Sequence, residues 1–257
     1  MLPLFSIVTV TRNNCPGLVE TARSLQQQTC SDFEWIIIDG ASTDGTSDYL
    51  KTTNANWISE PDTGLYDAMN KGIARTIGDY VLFLNAGDKL AFPNTLARLQ
   101  NFIKAEKKPP ALIYGDSLEG GAYKPARAAT HIKFGMFTHH QSILYKKSSL
   151  QNEPYDTRYK IAADYDLTAR IMLRYKNALH YPLPICIFEQ GGLSQTSAQK
   201  GRHEQFLIRR RLKITRLHEN AAIYALQTAV WTARRFAPGL YWRVKSSGNM
   251  RRGSAQT

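Results

Sequence analysis

The chain has 257 residues, of which 43% are hydrophobic and 21% are charged, enough for one substantial globular core. Its three cysteines form no Cys-x-x-Cys pair, which argues against a disulfide framework and favours a reducing, cytoplasmic location. It has no run of about 18 apolar residues, so we expect no membrane-spanning helix, and we interpret the opening MLPLFSIVTV as a strand rather than a signal peptide.

Strands and helices alternate along the first part of the chain. Short β-branched or aromatic runs predict strands, and apolar residues at helical spacing predict helices. The predicted elements are a strand at Leu4–Val10, a helix from Pro16, a strand at Phe33–Ile38, a short helix before Leu50, a strand at 55–59, a helix at 63–78, a strand at 80–85 and a helix at 94–108. This alternation predicts an α/β fold with a mixed, mostly parallel sheet flanked by helices.

After Pro110 the alternation is looser. Gly120 and Gly121 indicate a loop, residues 142–147 and 185–188 resemble strands, and Asp164–Tyr175 has the pattern of a helix with Leu167 and Ile171 facing the core. Within this helix, Asp166 and Arg170 are four residues apart and are expected to form a structural ion pair.

Polar residues follow four of the predicted strands. They are Thr11, Arg12 and Asn13 after the first, Asp39 and Asp44 after the second, Glu60 and Asp62 after the third, and Asn85 to Asp88 after the fourth. Because ligands gather at the carboxyl ends of strands in open α/β sheets, these ends predict one polar cleft. The first strand is not followed by G-x-G-x-x-G, which argues against NAD binding.

Several of these polar residues allow both a structural and a functional interpretation. Asp44 can cap the next helix or contact a ligand, whereas Asp39 is better placed to accept hydrogen bonds from a base or ribose. Asp67 and Lys71 share one helix face, where they can form a surface ion pair or face the cleft. Gly72 lies on the opposite, apolar face, where it is expected to permit close packing.

The segment Asn85-Ala86-Gly87-Asp88 raises the question of a metal. Asp88 can supply one carboxylate ligand to Mg²⁺ or Mn²⁺ with Asn85 as a neutral contact, or it can belong to an Asx-turn. Asp164 can cap its helix or accept a proton from an attacking hydroxyl. His140 and Gln141 are candidates for phosphate or sugar contacts, since a zinc site has little support from the spacing.

Seven motifs in order resemble family 2 glycosyltransferases of the GT-A fold, particularly bacterial exopolysaccharide enzymes of the colanic-acid type. They are SIVTVTRN, IIIDGASTDGT, SEPDTGLYDAMNKGI, YVLFLNAGD, HHQSILY, ADYDLTAR and EQGGLS, and the resemblance covers roughly residues 4–195. It implies an inverting enzyme that moves a sugar from a UDP- or GDP-sugar to a hydroxyl of a glycan or polyprenyl-linked acceptor.

The resemblance also implies roles for individual residues. Asp164 falls at the position of the catalytic base, and Asp88 at that of a metal ligand. The residues implied in nucleotide-sugar binding are Thr11, Arg12, Asn13, Asp39, Asp67, Lys71, Asn85, Ala86 and Gly87, with His140 and Gln141 on the acceptor or diphosphate side. The family's two-acid motif is reduced here to Asp88, which leaves dependence on Mn²⁺ or Mg²⁺ open and makes an inactive nucleotide-sugar-binding protein the alternative.

The net charge of +12 is concentrated at the end of the chain. Residues 202–257 hold 12 of the 33 lysines and arginines but only two acids, so we predict a domain at 1–201 and a basic helical extension at 202–257. The mixture of basic, aliphatic and aromatic residues over 202–245 suits an anionic membrane surface, with the enzyme peripheral on the inner face of the cytoplasmic membrane. The alternatives are a helical cap with a solvated basic face and, on charge alone, a nucleic-acid-binding segment, although we expect no nucleic-acid partner.

Overall fold

The computed structural model describes residues 2–151, 153–191 and 197–236. These residues divide into two compact units, one up to residue 191 and the other from Ser197 to Phe236. The predicted boundary at 201/202 falls inside a helix that begins at Ala198. In the described part of the chain, no helix is both long and apolar enough to cross a membrane.

The first unit alternates strands and helices much as the sequence predicts. Its strands are β1 (Phe5–Thr11), β2 (Phe33–Asp39), β3 (Asn56–Ser59), β4 (Tyr80–Phe83), β5 (Lys89–Leu90), β6 (Leu112–Glu119), β7 (Ala122–Lys124), β8 (Ile143–Lys146) and β9 (Ala178–Phe188). Its helices are α1 (Cys15–Gln26), α2 (Thr46–Leu50), α3 (Leu65–Ile73), α4 (Thr95–Lys104), α5 (Lys147–Leu150) and α6 (Ala163–Tyr175), with 3₁₀ turns at Ala129–Lys133 and His140–Ser142.

The strands form one mixed sheet in the order β3-β2-β1-β4-β8-β6-β9-β5, with β7 paired to β6. The pairs among β1, β2, β3 and β4 are parallel, and so is the pair of β6 with β9. The strand β8 runs antiparallel to both of its neighbours, β4 and β6. The mixed sheet is therefore confirmed, with its continuous parallel part confined to the first four strands.

The pairing directions bring many polar residues to one edge of the sheet. Since β8 reverses the direction between β4 and β6, the strands β1 to β4, β6 and β9 all end at this edge. The strands β5, β7 and β8 run the other way, so the residues that precede β5 and β8 lie at the same edge. We call it the polar edge, because it gathers Thr11, Asp39, Asp88, Gln141 and Glu189.

Alternating side chains of the central strands fill two apolar layers, one on each face of the sheet. In β1, Val8 and Val10 face one layer, whereas Phe5 and Ile7 face the other. The helices α3 and α6 cover the first layer, to which they contribute Met69, Leu167 and Ile171. The helices α1 and α4 cover the second layer, to which they contribute Leu25, Leu96 and Leu99.

Gly72 confirms the close packing predicted for α3. A Cβ at this position would overlap the Val8 side chain of β1, so only glycine lets the helix approach the sheet this closely.

The second unit consists of two helices, α7 (Ala198–Arg211) and α8 (Leu217–Phe236). The buried Arg209 of α7 donates from Nε to Asn220 Oδ1 of α8 at 2.6 Å, and Asn220 donates to the carbonyl of Phe206 at 2.9 Å. This arrangement removes Arg209 from the predicted basic surface. Residues 237–245 of the predicted membrane segment and residues 192–194 of the EQGGLS motif lie outside the described residues.

Candidate functional site

The loop after β2 is held by polar groups from neighbouring strands. Asp39 is buried and accepts hydrogen bonds from Ser42 N at 3.1 Å and from Ser59 Oγ at 2.6 Å. Asn13 has a positive φ of 51°. Its Oδ1 accepts a hydrogen bond from the Thr43 N–H at 2.8 Å, and its own backbone N–H donates to Ser42 Oγ at 2.7 Å. Both residues therefore shape this loop. The predicted contact of Asp39 with a base or ribose stays a prediction that requires movement around Ser42.

Thr11 and Arg12 occupy different environments at the end of β1. The Thr11 side chain is buried, yet its Oγ1 has no hydrogen-bond partner, which leaves a polar group for a ligand to satisfy. Arg12 is exposed and lies beside Gly40. Asp62, which the sequence places in the polar cleft without a specific role, also lies at Gly40, where a Cβ would overlap its carboxylate.

Asp67 and Lys71 do not form the i,i+4 ion pair that the sequence allowed. Asp67 accepts the Thr63 N–H at 2.9 Å, whereas Lys71 Nζ lies 2.9 Å from Glu60 Oε1 and 2.8 Å from the carbonyl of Pro61. Both side chains thus fix the loop after β3, and their supporting role at the site stays a prediction.

The Asn85–Asp88 segment forms a turn anchored by α1. The hydroxyl of the buried Thr21 accepts the Gly87 N–H at 3.0 Å and lies 2.8 Å from the carbonyl of Asp88. Asn14 donates to the carbonyl of Ala86 at 3.2 Å, and Gly87 takes φ 102°, a conformation suited to glycine. The turn is therefore held rigidly, and Thr21 is a positioning residue that the sequence did not reveal.

Asp88 is the buried acid of this turn. Its Oδ1 accepts the Glu189 N–H at 2.9 Å, and its Oδ2 accepts Gln141 Nε2 at 2.9 Å. Burial raises the pKa of Asp88 to about 7, although these two hydrogen bonds oppose the shift and the nearby Glu189 charge adds to it. A cation that binds here would favour the charged carboxylate.

The Asn85–Asp88 turn offers oxygen atoms to a divalent metal. The Oδ1 of Asn85 is buried without a hydrogen-bond partner, and Asp88 retains lone pairs beyond its two hydrogen bonds. The described residues contain no cluster of three or more His, Cys, Asp or Glu side chains that could hold a metal. The oxygen donors fit an ion that takes one or two carboxylates and completes its shell with substrate phosphates.

His140 and Gln141 lie in different environments. His140 is buried, its Nε2 lies 2.7 Å from Tyr155 Oη, and its ring stacks on Phe83 with centroids 5.1 Å apart. Burial lowers the pKa of His140 to about 3, so the ring is neutral. The prediction that His140 contacts substrate is not supported by this position, because its ring belongs to the core. Gln141 donates a hydrogen bond to Asp88 and thereby orients that carboxylate.

Asp164 is half-buried in the first turn of α6. It is not the N-cap, which is Ala162; its Oδ1 accepts the Tyr165 N–H at 2.7 Å and lies 3.3 Å from Tyr66 Oη. Tyr66 also donates to the carbonyl of Ile161 at 2.8 Å. The carboxylate is therefore held in place by groups from both α6 and α3.

A chain of contacts joins the surroundings of Asp164 to those of Asp88. The rings of Tyr66 and Tyr155 lie 5.3 Å apart, Tyr155 bonds His140, and the adjacent Gln141 donates to Asp88. The two acids are thus connected through a series of packed and hydrogen-bonded side chains. That they face each other across a cleft stays a prediction.

A second acid of α6 has the structural role that its spacing predicts. Asp166 is fully buried and accepts Arg170 Nε at 2.9 Å, while Arg170 also pairs with Glu153 and donates to the carbonyl of Pro154 at 2.6 Å.

Comparison with solved structures identifies the fold. The chain superposes on the crystal structure of S. aureus TarS 1–349 in complex with UDP with a TM-score of 0.67, at 16% identity, over 91% of this chain and 72% of that one. It also superposes on a mannosyltransferase, PcManGT from Pyrobaculum calidifontis in complex with GDP-Man and Mn²⁺, with a TM-score of 0.67, at 15% identity, over 97% and 80% of the two chains. These similarities confirm the GT-A fold.

Comparison with known sequences identifies the family. A PGL/p-HBAD biosynthesis glycosyltransferase of Mycobacterium bovis is 35% identical over 214 residues, which cover 77% of this chain and 82% of that protein. An uncharacterized glycosyltransferase of Mycobacterium tuberculosis is 36% identical over 121 residues, 46% of each chain. The family model for glycosyl transferase family 2 matches residues 6–187, and the chain therefore belongs to this family of glycosyltransferases.

Proposed function

We propose that the protein transfers a sugar, with inversion at the anomeric carbon, from a UDP- or GDP-sugar to a hydroxyl of a glycan or lipid-linked acceptor in bacterial surface polysaccharide synthesis. The observation that carries this proposal is the chain of contacts that connects Asp164 with Asp88. Asp164, held by hydrogen bonds, would serve in proton transfer, and Asp88, in the same turn as the buried, unpartnered Oδ1 of Asn85, would serve the diphosphate and its metal.

The chemistry assigns a separate role to each acid. The acceptor oxygen forms a bond to the anomeric carbon while the bond from that carbon to the diphosphate oxygen breaks, and the electron pair leaves with the diphosphate. Asp164 takes the proton of the acceptor hydroxyl. A bound Mn²⁺ or Mg²⁺ supplies positive charge for the leaving diphosphate, and Asp88 with Asn85 would hold it.

The donor is the first property to test. Calorimetric titration of UDP, GDP and their common sugar conjugates in Mn²⁺ is expected to show binding of one nucleotide class. Binding in EDTA should be weaker, because Asp88 would then hold no metal to offset the charge of the phosphates. Transfer or slow hydrolysis of the same donor sugar should follow. If neither nucleotide binds in either condition, the proposed donor site is wrong.

We further propose that the second unit contacts an anionic membrane surface, where a lipid-linked acceptor would be found. The residues Arg210, Arg211, Lys213 and Arg216 are exposed, and so are the apolar Leu217 and Leu226 of α8. Basic and apolar side chains together suit the headgroup region of anionic lipids.

Vesicle binding tests this surface. The full chain is expected to bind vesicles that contain 30% phosphatidylglycerol in a salt-sensitive manner, and Arg210→Gln/Arg211→Gln/Arg216→Gln should weaken binding roughly a hundredfold, at about 1 kcal/mol for each basic residue. Lys104→Gln/Lys107→Gln/Lys108→Gln removes the same charge from exposed positions of the first unit and should have a much smaller effect. Equal losses in the two triple variants would contradict a specific role for the second unit.

A further inference from the structure

The Asn85–Asp88 turn provides a single carboxylate, because its first position is Asn85 and its third is Gly87. We infer that Glu189, at the end of β9, supplies the second carboxylate of the divalent-cation site. This inference rests on the proposed function, in which a divalent cation accompanies the donor diphosphate.

The pairing of β5 with β9 places Glu189 beside the turn. Lys89 is in register with Ile187, so the residues flanking the two strands, Asp88 and Glu189, become neighbours although about a hundred positions separate them in the chain. The Glu189 N–H donates to Asp88 Oδ1 at 2.9 Å. The backbone of Glu189 thus orients the first ligand, in the way that hydrogen bonds around a metal site fix its carboxylates.

The side chain of Glu189 lies against the turn as well. A Cβ at Gly87 would overlap the Glu189 carboxylate, so the glycine at this position leaves the room that the carboxylate occupies. The side chain of Glu189, and not only its backbone, therefore lies against the turn that carries Asp88.

Glu189 carries a negative charge that the described residues do not neutralise. Its side chain is exposed, and among residues 2–151, 153–191 and 197–236 the structure gives its carboxylate no ion pair and no hydrogen-bond donor. Lys89, the residue after Asp88, extends instead towards Glu20 at 3.7 Å, and Lys124 pairs with Glu119. Two neighbouring carboxylates without a cationic side chain repel each other, and a divalent ion removes that repulsion.

The donor set formed in this way suits Mn²⁺ or Mg²⁺. It contains the Asp88 and Glu189 carboxylates and the buried, unpartnered Oδ1 of Asn85. Hard divalent cations prefer such oxygen ligands and accept the remaining ones from phosphates and water. Glu189 would therefore replace the acid that the first position of the turn lacks.

The test is the affinity for Mn²⁺, measured by electron paramagnetic resonance titration with and without saturating UDP or GDP. Glu189→Gln keeps the size of the side chain and removes its charge, and we expect it to weaken Mn²⁺ binding at least about tenfold. Nucleotide binding in EDTA should not change. Glu20→Gln is the matched control, because it removes one negative charge near Lys89 from a carboxylate that already has cationic partners, and it should alter the Mn²⁺ affinity less than about twofold.

Each outcome of this test has a defined meaning. Equal Mn²⁺ affinity in Glu189→Gln and the unchanged protein would overturn the assignment of Glu189. If the unchanged protein binds UDP or GDP and transfers sugar but binds no Mn²⁺, the assignment is wrong while the proposed function stands. If it binds neither nucleotide nor Mn²⁺ and transfers no sugar, the proposed function fails too. Thermal melting of each variant verifies that it is folded.

Discussion

Replacing Asp164 with asparagine is expected to lower the rate of sugar transfer by a factor of about 10²–10⁴, the usual contribution of a general base. Asparagine preserves the size of the side chain and can still accept the Tyr165 N–H, but it cannot take the proton of an acceptor hydroxyl. The affinity for the donor nucleotide should stay within about twofold of the original, because Asp164 acts on the acceptor. Single-turnover transfer and calorimetric nucleotide binding measure the two quantities separately.

Asp166, on the same helix, provides the contrast. It is fully buried against Arg170, so Asp166→Asn breaks a buried ion pair and should lower the free energy of unfolding by about 1–3 kcal/mol. Asp164→Asn should leave the stability nearly unchanged. Undiminished transfer by Asp164→Asn would contradict the role of Asp164 as general base. Nucleotide-sugar binding without any transfer by the original protein would favour the alternative of a nucleotide-sugar-binding protein without catalysis.

Replacing Asp88 with asparagine is expected to have the second large effect, a loss of about a hundredfold or more in transfer together with weaker Mn²⁺ binding. The estimate follows from the several kcal/mol by which a metal stabilises a developing charge, at about 1.4 kcal/mol for each tenfold in rate. Activity assays at saturating donor, repeated over a range of Mn²⁺ concentrations, measure both losses. A variant that retains full activity in EDTA would show that Asp88 does not act through a metal.

The same substitution should stabilise the metal-free protein at high pH. Burial raises the pKa of Asp88 from 3.8 to about 7, so the fold favours its neutral form. The preference for the neutral form makes its full contribution to the free energy of unfolding below pH 3.8, and this contribution is lost as the pH rises through 7. Asp88→Asn stays neutral throughout, and rotation of the Gln141 amide preserves the hydrogen bond.

Urea unfolding in EDTA at pH 5 and pH 8 tests this linkage. The free energy of unfolding of Asp88→Asn, relative to that of the original protein, should be higher at pH 8 than at pH 5. A difference that does not change between the two pH values would contradict the raised pKa of Asp88.

The order of strands and helices could be predicted from the sequence because it depends on local patterns. The same holds for the polar edge, since carboxyl ends of parallel strands meet wherever the strands pair in parallel. The predictions for Gly72 and for the Asp166–Arg170 pair are confirmed for a similar reason, as each depends on spacing within one helix.

The details that escaped prediction depend on contacts between distant segments. His140 looked like a ligand from its neighbours in sequence, but its ring is buried by Phe83 and Tyr155. Arg209 belonged to an apparently exposed basic run, although Asn220 of the next helix binds it. The two residues of β5 are too few to produce a strand pattern, so the sequence could not reveal that Glu189 lies beside Asp88.

The place of β9 in the sheet has a consequence for the assembly of the protein during synthesis. The strands β1 to β4 are complete once the ribosome has passed residue 83, and a nascent chain of that length already contains every parallel pair of the first half. Among the strands of the described residues, β9 is the last to be made, yet it lies between β6 and β5. After Asp88 is synthesised, about a hundred further residues must follow before Gln141 and Glu189 can both contact it, so the surroundings of Asp88 are completed late.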